Sequence, residues 1–142
     1  MTSAIVGPMC AYTLFLFGIW ALLGYVRISG TLRGMIPAQY LRVGQGPLPP
    51  AKIVDVHHHF SNQFEVPVLF YALAAVALAT SHVPGWLISG AWLYVALRIL
   101  HSLIHCTYNR VMHRFAVFLL SFALLVGLCV AFFLTLHSPS AS

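Results

Sequence analysis

Two charged residues lie in or beside long apolar segments, where charged side chains are rare. Glu65, one of two acidic residues in the chain, lies in VHHHFSNQFEVPVLF, and Arg98 lies in the apolar run WLISGAWLYVALRILHSLIH. A charge inside lipid costs roughly 2.5–3.5 kcal/mol on insertion scales. Because each of these charges can lower that cost for the other, the sequence predicts that Glu65 and Arg98 form a pair.

Further polar residues share helical faces with these two charges. His58, Asn62 and Glu65 fall at i, i+4 and i+7, which predicts one face of a helix. The same spacing predicts a second polar face in the next apolar run, made of Tyr94, Arg98, His101, His105 and Tyr108. At 1.5 Å per residue, Glu65 and Arg98 would lie roughly 13 and 15 Å from the same membrane surface, so antiparallel neighbours would bring them to one depth.

These faces allow two interpretations. Asn62, Glu65 and Arg98 alone would form a buried polar clamp that sets the register of the helices. The other polar groups on the same faces exceed what one clamp needs. That surplus favours a cavity that binds a ligand.

The histidines raise a third possibility, a metal site. His101 and His105 lie four residues apart on one face, where they could ligate one ion with a histidine from the preceding span. The chain has no HExxH motif and no paired CxxC motif. Consecutive side chains point in different directions, so one ion cannot bind all of His57, His58 and His59. We therefore predict no metal.

Composition predicts the fold that carries these residues. Hydrophobic residues make up 61% of the 142 residues and charged residues 6%, against roughly 25% charged in a soluble domain. Runs of about 20 apolar residues suffice to cross roughly 30 Å of hydrocarbon. The sequence predicts a single domain over residues 1–142, an all-α integral membrane four-helix bundle, with spans at about 5–26, 56–80, 86–108 and 114–136.

The segments around the spans fit this assignment. The first connection, at about 27–55, is rich in Gly and Pro, so we expect it to be irregular or only briefly helical. Pro84 and Gly85 predict the turn between the second and third spans. The beginning MTSAIVGPMC lacks a basic n-region, so we interpret the first apolar run as a span rather than a cleavable signal.

The basic residues predict an orientation. Six of the seven lie in or beside the first and third connections: Arg27, Arg33, Arg42, Lys52, Arg110 and Arg114. The positive-inside rule therefore places both connections in the cytoplasm and both termini outside it. The net charge of +5 follows from this arrangement. We expect membrane lipids or an anionic ligand at these residues, and no nucleic acid.

The ordered set of residues resembles the MAPEG family, the membrane-associated proteins in eicosanoid and glutathione metabolism. Length, four spans, external termini and a long cytoplasmic first connection agree with that family. The signature residues of its second, third and fourth helices are present in order: Asn62, Glu65, Pro67, Arg98, His101 and Arg114.

The resemblance implies a homotrimer that binds glutathione in clefts between subunits, open toward the cytoplasm. Asn62 and Glu65 would hold polar parts of the tripeptide, and Arg98 would support Glu65. Arg114 would be the catalytic residue. A thiol of pKa about 8.5 is only slightly ionised at neutral pH, and a guanidinium beside it favours the nucleophilic thiolate.

The remaining binding residues are expected near the cytoplasmic end of the site. Arg110, one helical turn before Arg114, could pair with a glutathione carboxylate. His101 and His105 would complete the binding face. Small residues of the second span, Ala72, Ala74 and Ala75, could allow close approach of neighbouring subunits.

The chain departs from the glutathione-using members at positions that matter. Those members usually carry an arginine at the position of His58 or of Ser61, and a tyrosine at that of His105. A tripeptide with two carboxylates loses charge-assisted contacts when the arginines are absent. The sequence is more similar to a divergent bacterial branch, which indicates a bacterial inner membrane.

Two classes of function stay open. The first is a glutathione-dependent transferase or peroxidase that acts on lipophilic small molecules. The second is a non-catalytic trimeric membrane protein that binds a lipid or a protein partner.

Overall fold

The computed structural model describes residues 2–137, which form helices and no β-strand. A 3-10 helix, Thr2–Ile5, is followed by six α-helices: α1 (Val6–Leu32), α2 (Ala38–Val43), α3 (Ala51–Asn62), α4 (Pro67–Ala79), α5 (Gly85–Cys106) and α6 (Val111–His137). The two ends of the predicted domain, Met1 and residues 138–142, lie outside the described residues.

Four segments are long and apolar enough to cross a membrane: Ser3–Leu32, Ala51–Ala79, Gly85–Cys106 and Val111–His137. This result confirms the prediction of an all-α membrane protein with four apolar spans. The first helix continues six residues beyond the predicted end of its span at residue 26, so Arg27 lies within α1. Residues 33–50 connect it to α3 and contain the short helix α2.

The second span is interrupted, so the prediction that His58, Asn62 and Glu65 share one face of a continuous helix is wrong. α3 ends at Asn62, residues 63–66 form a turn, and α4 begins at Pro67. In this turn the N–H of Gln63 donates to the carbonyl oxygen of Phe60 at 3.0 Å, and the N–H of Phe64 to that of Ser61 at 2.9 Å. Proline cannot continue a helix because it lacks an N–H and its ring crowds the preceding turn, but it is well placed as a first helical residue. Glu65 therefore lies on the turn and does not extend a helical face from His58.

The described chain divides into two compact units. Among residues 2–137, the first unit consists of residues 2–13 and 66–137, and the second unit of Leu14–Glu65. Within the second unit, Gly30 of α1 allows close contact with two buried isoleucines. A Cβ atom at Gly30 would lie 2.9 Å from Cδ1 of Ile53 and 3.0 Å from Cδ1 of Ile36.

The core of the first unit contains an aromatic cluster. The rings of Phe70 and Tyr94 stack with centroids 5.0 Å apart, and Tyr12 meets Phe70 edge to face at 6.1 Å. α5 and α6 approach closely at Gly90, because a Cβ atom there would overlap the side chain of Leu128. This close packing holds the first part of α5 against the second half of α6.

Helices α5 and α6 form a hairpin joined by residues 107–110. Two predicted details are corrected here. Tyr108 lies beyond the end of α5 and so does not belong to its polar face, whereas Tyr94, Arg98, His101 and His105 are buried on one side of that helix. Arg114 is the fourth residue of α6, not its first.

Candidate functional site

Arg114 is the best-defined member of the candidate site. It lies in the first turn of α6 and is half-buried. Its Nη1 donates hydrogen bonds to Oδ1 of Asn109 at 2.9 Å and to Nε2 of His105 at 3.1 Å. Both acceptors lie at the end of α5 or in the turn after it. The hairpin thus brings together two residues, His105 and Arg114, that the sequence had assigned to one site.

His101 contacts the backbone of the same arginine. Its Nδ1 lies 3.2 Å from the carbonyl oxygen of Arg114, and because a carbonyl group can only accept, Nδ1 is the donor. His105 acts in the opposite sense, since a guanidinium can only donate and Nε2 must therefore accept. Both imidazole rings consequently carry a proton on Nδ1, and the His105 ring is neutral.

Asn109 is a site residue that the sequence analysis missed. Its backbone φ is 44°, in the left-handed region, and its N–H donates to the carbonyl oxygen of Ile104 at 2.9 Å. Asparagine is one of the few residue types besides glycine that adopts this conformation readily. A signal was available, because an asparagine between two apolar helices indicates a helix C-terminus of this kind.

Arg98 is completely buried, with 0% of its surface exposed. Its side chain is hydrogen bonded to the hydroxyl group of Tyr12. Its Cζ atom also lies 5.9 Å from the centroid of the Phe118 ring, within the range of a cation–π interaction. The Phe118 ring lies 5.9 Å from the His101 ring as well, measured between centroids. Phe118 therefore connects Arg98 to the candidate site.

Tyr12 is the second residue that the sequence analysis missed. It is fully buried and lies against two further tyrosine rings, with centroids 6.3 Å from Tyr94 and 5.9 Å from Tyr71. The Tyr71 hydroxyl group is 2.9 Å from Oγ1 of Thr13. The Tyr12 hydroxyl group gives the buried Arg98 charge a polar partner, which lowers the cost of burying it.

Asn62 and Glu65 belong to the second unit. Asn62 is the last residue of α3 and is half-buried, and Glu65 is exposed on the turn that follows. Their association with Arg98, and with a ligand, stays a prediction.

Arg110 is exposed at the start of α6, and its carbonyl oxygen accepts the N–H of Arg114 at 3.0 Å. The neighbouring Tyr108 hydroxyl group lies 3.3 Å from Nδ1 of His113. Arg110 is therefore one helical turn from Arg114 and accessible to a ligand at the connection between α5 and α6.

The histidines of the second span differ in environment. His59 is buried, whereas His58 is exposed. Among residues 2–137, no three His, Cys, Asp or Glu side chains are grouped closely enough to hold a metal ion.

The charges of the first unit are all of one sign. It contains Arg98, Arg110 and Arg114, while both acidic residues, Asp55 and Glu65, fall in the second unit. Arg110 and Arg114, one helical turn apart and at least partly exposed, concentrate anions near them. The arrangement can thus bind an anion and stabilise negative charge that develops on a bound group.

Comparison with protein-family models matches residues 5–134 to the model described as the MAPEG family. No curated protein and no solved structure matches the chain. The matched range includes every residue of the candidate site.

Proposed function

Because the chain belongs to the MAPEG family and has four apolar spans, it is an integral, multi-pass membrane protein, and we propose that it is a glutathione-dependent transferase or peroxidase. Its second substrates would be lipophilic electrophiles that partition into the bilayer.

The contact of Arg114 with His105 and Asn109 is the observation that carries this proposal. The guanidinium is held at the end of a helix hairpin by two neutral acceptors, at 3.1 and 2.9 Å. Its charge is therefore oriented without being neutralised. Such a guanidinium favours the thiolate form of a bound thiol, whose pKa of about 8.5 leaves only a few per cent ionised at neutral pH.

The other predicted residues would bind the tripeptide. Arg110, exposed one turn before Arg114, would pair with a glutathione carboxylate. Asn62 and Glu65 would hold the polar groups of the tripeptide. Arg98, being fully buried, would act indirectly by supporting Glu65, and His101 and His105 would shape the face on which glutathione lies.

The chemistry follows from the thiolate. The thiol loses its proton to water, and the sulfur then forms a bond to an electrophilic carbon while the bond to the leaving group breaks. With a lipid hydroperoxide, two glutathione molecules supply two electrons and two protons, which gives the alcohol, water and glutathione disulfide. In both reactions the contribution expected of Arg114 is stabilisation of negative charge on sulfur.

His58 and Ser61 affect the expected affinity. Related glutathione-using proteins usually have an arginine at one of these positions, so this chain lacks a charge-assisted contact to a carboxylate. We therefore expect glutathione to bind at millimolar concentrations. Calorimetric titration of the purified, detergent-solubilised protein measures this affinity. Conjugation of an activated aromatic halide in lipid vesicles measures turnover, and the absence of both at millimolar glutathione would contradict the proposal.

The complete burial of Arg98 favours the second candidate function. A charge held by Tyr12 and Phe118 inside the protein is also what a purely structural clamp would require. In that case the protein would be a non-catalytic trimer, and Arg110 and Arg114 would bind lipid phosphates. Glutathione binding without turnover, or no binding at all, would favour this alternative.

The proposed orientation has the connections 33–50 and 107–110 in the cytoplasm and both termini outside it. The distribution of Lys and Arg over the connections supports it. A bacterial inner membrane is the proposed location. Reporter fusions to the C-terminus would test the orientation, since a reporter active only in the cytoplasm should be silent there.

We expect three copies of the chain in the assembled protein. Ala72 and Ala75 are exposed on α4 together with Val68 and Ala79, so they leave a face on which another helix can approach closely. Ala74 is buried within its own protomer, which corrects its predicted place on that face. Native mass spectrometry should show a trimer, and a stable monomer or dimer would contradict the assembly.

A further inference from the structure

The side chain of Asn109 makes a contact that the turn itself does not require. The turn needs a left-handed backbone, with φ of 44°, and an N–H that donates to the carbonyl oxygen of Ile104. Glycine would meet both requirements without steric cost. The amide group adds a hydrogen bond in which Oδ1 accepts from Nη1 of Arg114 at 2.9 Å.

We propose that Asn109 is a positioning residue: with His105, it holds the Arg114 guanidinium so that its opposite edge meets the sulfur of bound glutathione. This inference rests on the proposed function. Asn109 itself would not contact glutathione, and it would affect the reaction only by positioning Arg114.

The donors of Arg114 are divided in a way that suits this role. A guanidinium has five N–H groups in one plane. The two on Nη1 are directed to Asn109 and His105, at 2.9 and 3.1 Å. The three on Nη2 and Nε form the remaining edge, which has the fork geometry that binds anions. The two acceptors thus orient the group through one nitrogen and leave that edge for a ligand.

Both acceptors are neutral, so they do not reduce the attraction of the Arg114 guanidinium for an anionic ligand. A carboxylate in either place would pair with the guanidinium and weaken its attraction for a thiolate. The first unit contains no Asp or Glu that could do so. An amide at position 109 therefore combines three properties: a left-handed backbone, an acceptor for Arg114 and no charge.

The test uses the purified full chain with glutathione as the probe. Asn109→Gly removes the acceptor and keeps the backbone conformation. Ser81→Gly is the matched control, because Ser81, with φ of 52°, is the other non-glycine residue with positive φ among residues 2–137, and it lies in the turn between α4 and α5. Asn109→Gly is also combined with Arg114→Gln. The readouts are the pH titration of thiolate absorbance, kcat and KM.

We expect Asn109→Gly to raise the pKa of the bound thiol by about 0.5 units or more, which corresponds to roughly a threefold fall in the ratio of thiolate to thiol. The value of kcat should fall more than KM rises, and Ser81→Gly should change neither. In the Arg114→Gln background, Asn109→Gly should have no further effect, because it acts through Arg114.

An unchanged thiol pKa in folded Asn109→Gly would overturn the positioning role and leave the proposed function standing. If the unmodified protein binds no glutathione, the proposed function fails and this inference fails with it. Asn109→Asp serves if the glycine variant does not fold, since it keeps the acceptor and the left-handed backbone. Its added charge should raise the thiol pKa, and an unchanged value there would equally overturn the inference.

Discussion

Replacement of Arg114 by glutamine should raise the pKa of bound glutathione by a unit or more, worth about 1.4 kcal/mol per unit. Glutamine keeps hydrogen-bonding capacity near His105 and Asn109 but removes the positive charge that favours the thiolate. The ratio of thiolate to thiol falls tenfold for each unit, so turnover at neutral pH should fall by up to about tenfold per unit, while glutathione binding should weaken less. Titration of thiolate absorbance against pH measures the shift.

The matched control for this change is Arg110→Gln. It removes the same charge one helical turn away, at an exposed residue. Its expected effect is weaker binding, through loss of a carboxylate contact, with little change in the thiol pKa. If the folded Arg114→Gln variant shows unchanged thiolate absorbance and turnover, Arg114 is not the thiolate-stabilising residue. Equal shifts in both variants would indicate a general effect of positive charge instead.

Replacement of Arg98 by leucine should destabilise the protein by about 1–3 kcal/mol, the usual cost of leaving a buried polar group without its hydrogen bond. Arg98 has no exposed surface, and leucine would leave the Tyr12 hydroxyl group without its bond to the guanidinium. The cation–π contact with Phe118 would also be lost. Unfolding in mixed detergent micelles gives the difference in free energy.

Two double variants identify the partners of Arg98. Tyr12→Phe should cost about 1 kcal/mol alone, and less than that in the Arg98→Leu background, because the two residues share one contact. If Glu65 also pairs with Arg98, replacing both should destabilise the protein less than Arg98→Leu alone. Wild-type stability in Arg98→Leu would show that the buried guanidinium contributes nothing to the fold.

The number and type of the membrane spans could be predicted from the sequence because they depend on local composition. Uncharged runs such as residues 66–97 are long enough to cross the bilayer. A continuous apolar run can satisfy its backbone hydrogen bonds in lipid only as a helix. The break between α3 and α4 was missed because helical periodicity was continued through Pro67, although proline removes the N–H that a continuous helix would need.

The candidate site was predictable where its residues lie on one helix. His101 and His105 share a face of α5 through simple spacing. The contact of Arg114 with His105 was not predictable in detail, because it depends on where α5 ends and how residues 107–110 turn. Tyr12 could not be found at all by spacing, since its contact with Arg98 joins residues far apart in the chain, and such contacts leave no periodic pattern.

We propose that this protein holds glutathione as a thiolate at Arg114. The most direct measurement is the ultraviolet difference spectrum of glutathione with the purified protein at neutral pH, compared with free glutathione. We expect a thiolate band that saturates as glutathione rises to millimolar concentrations and that is much weaker in Arg114→Gln. A spectrum equal to the sum of the free components, with the protein folded, would refute the proposal.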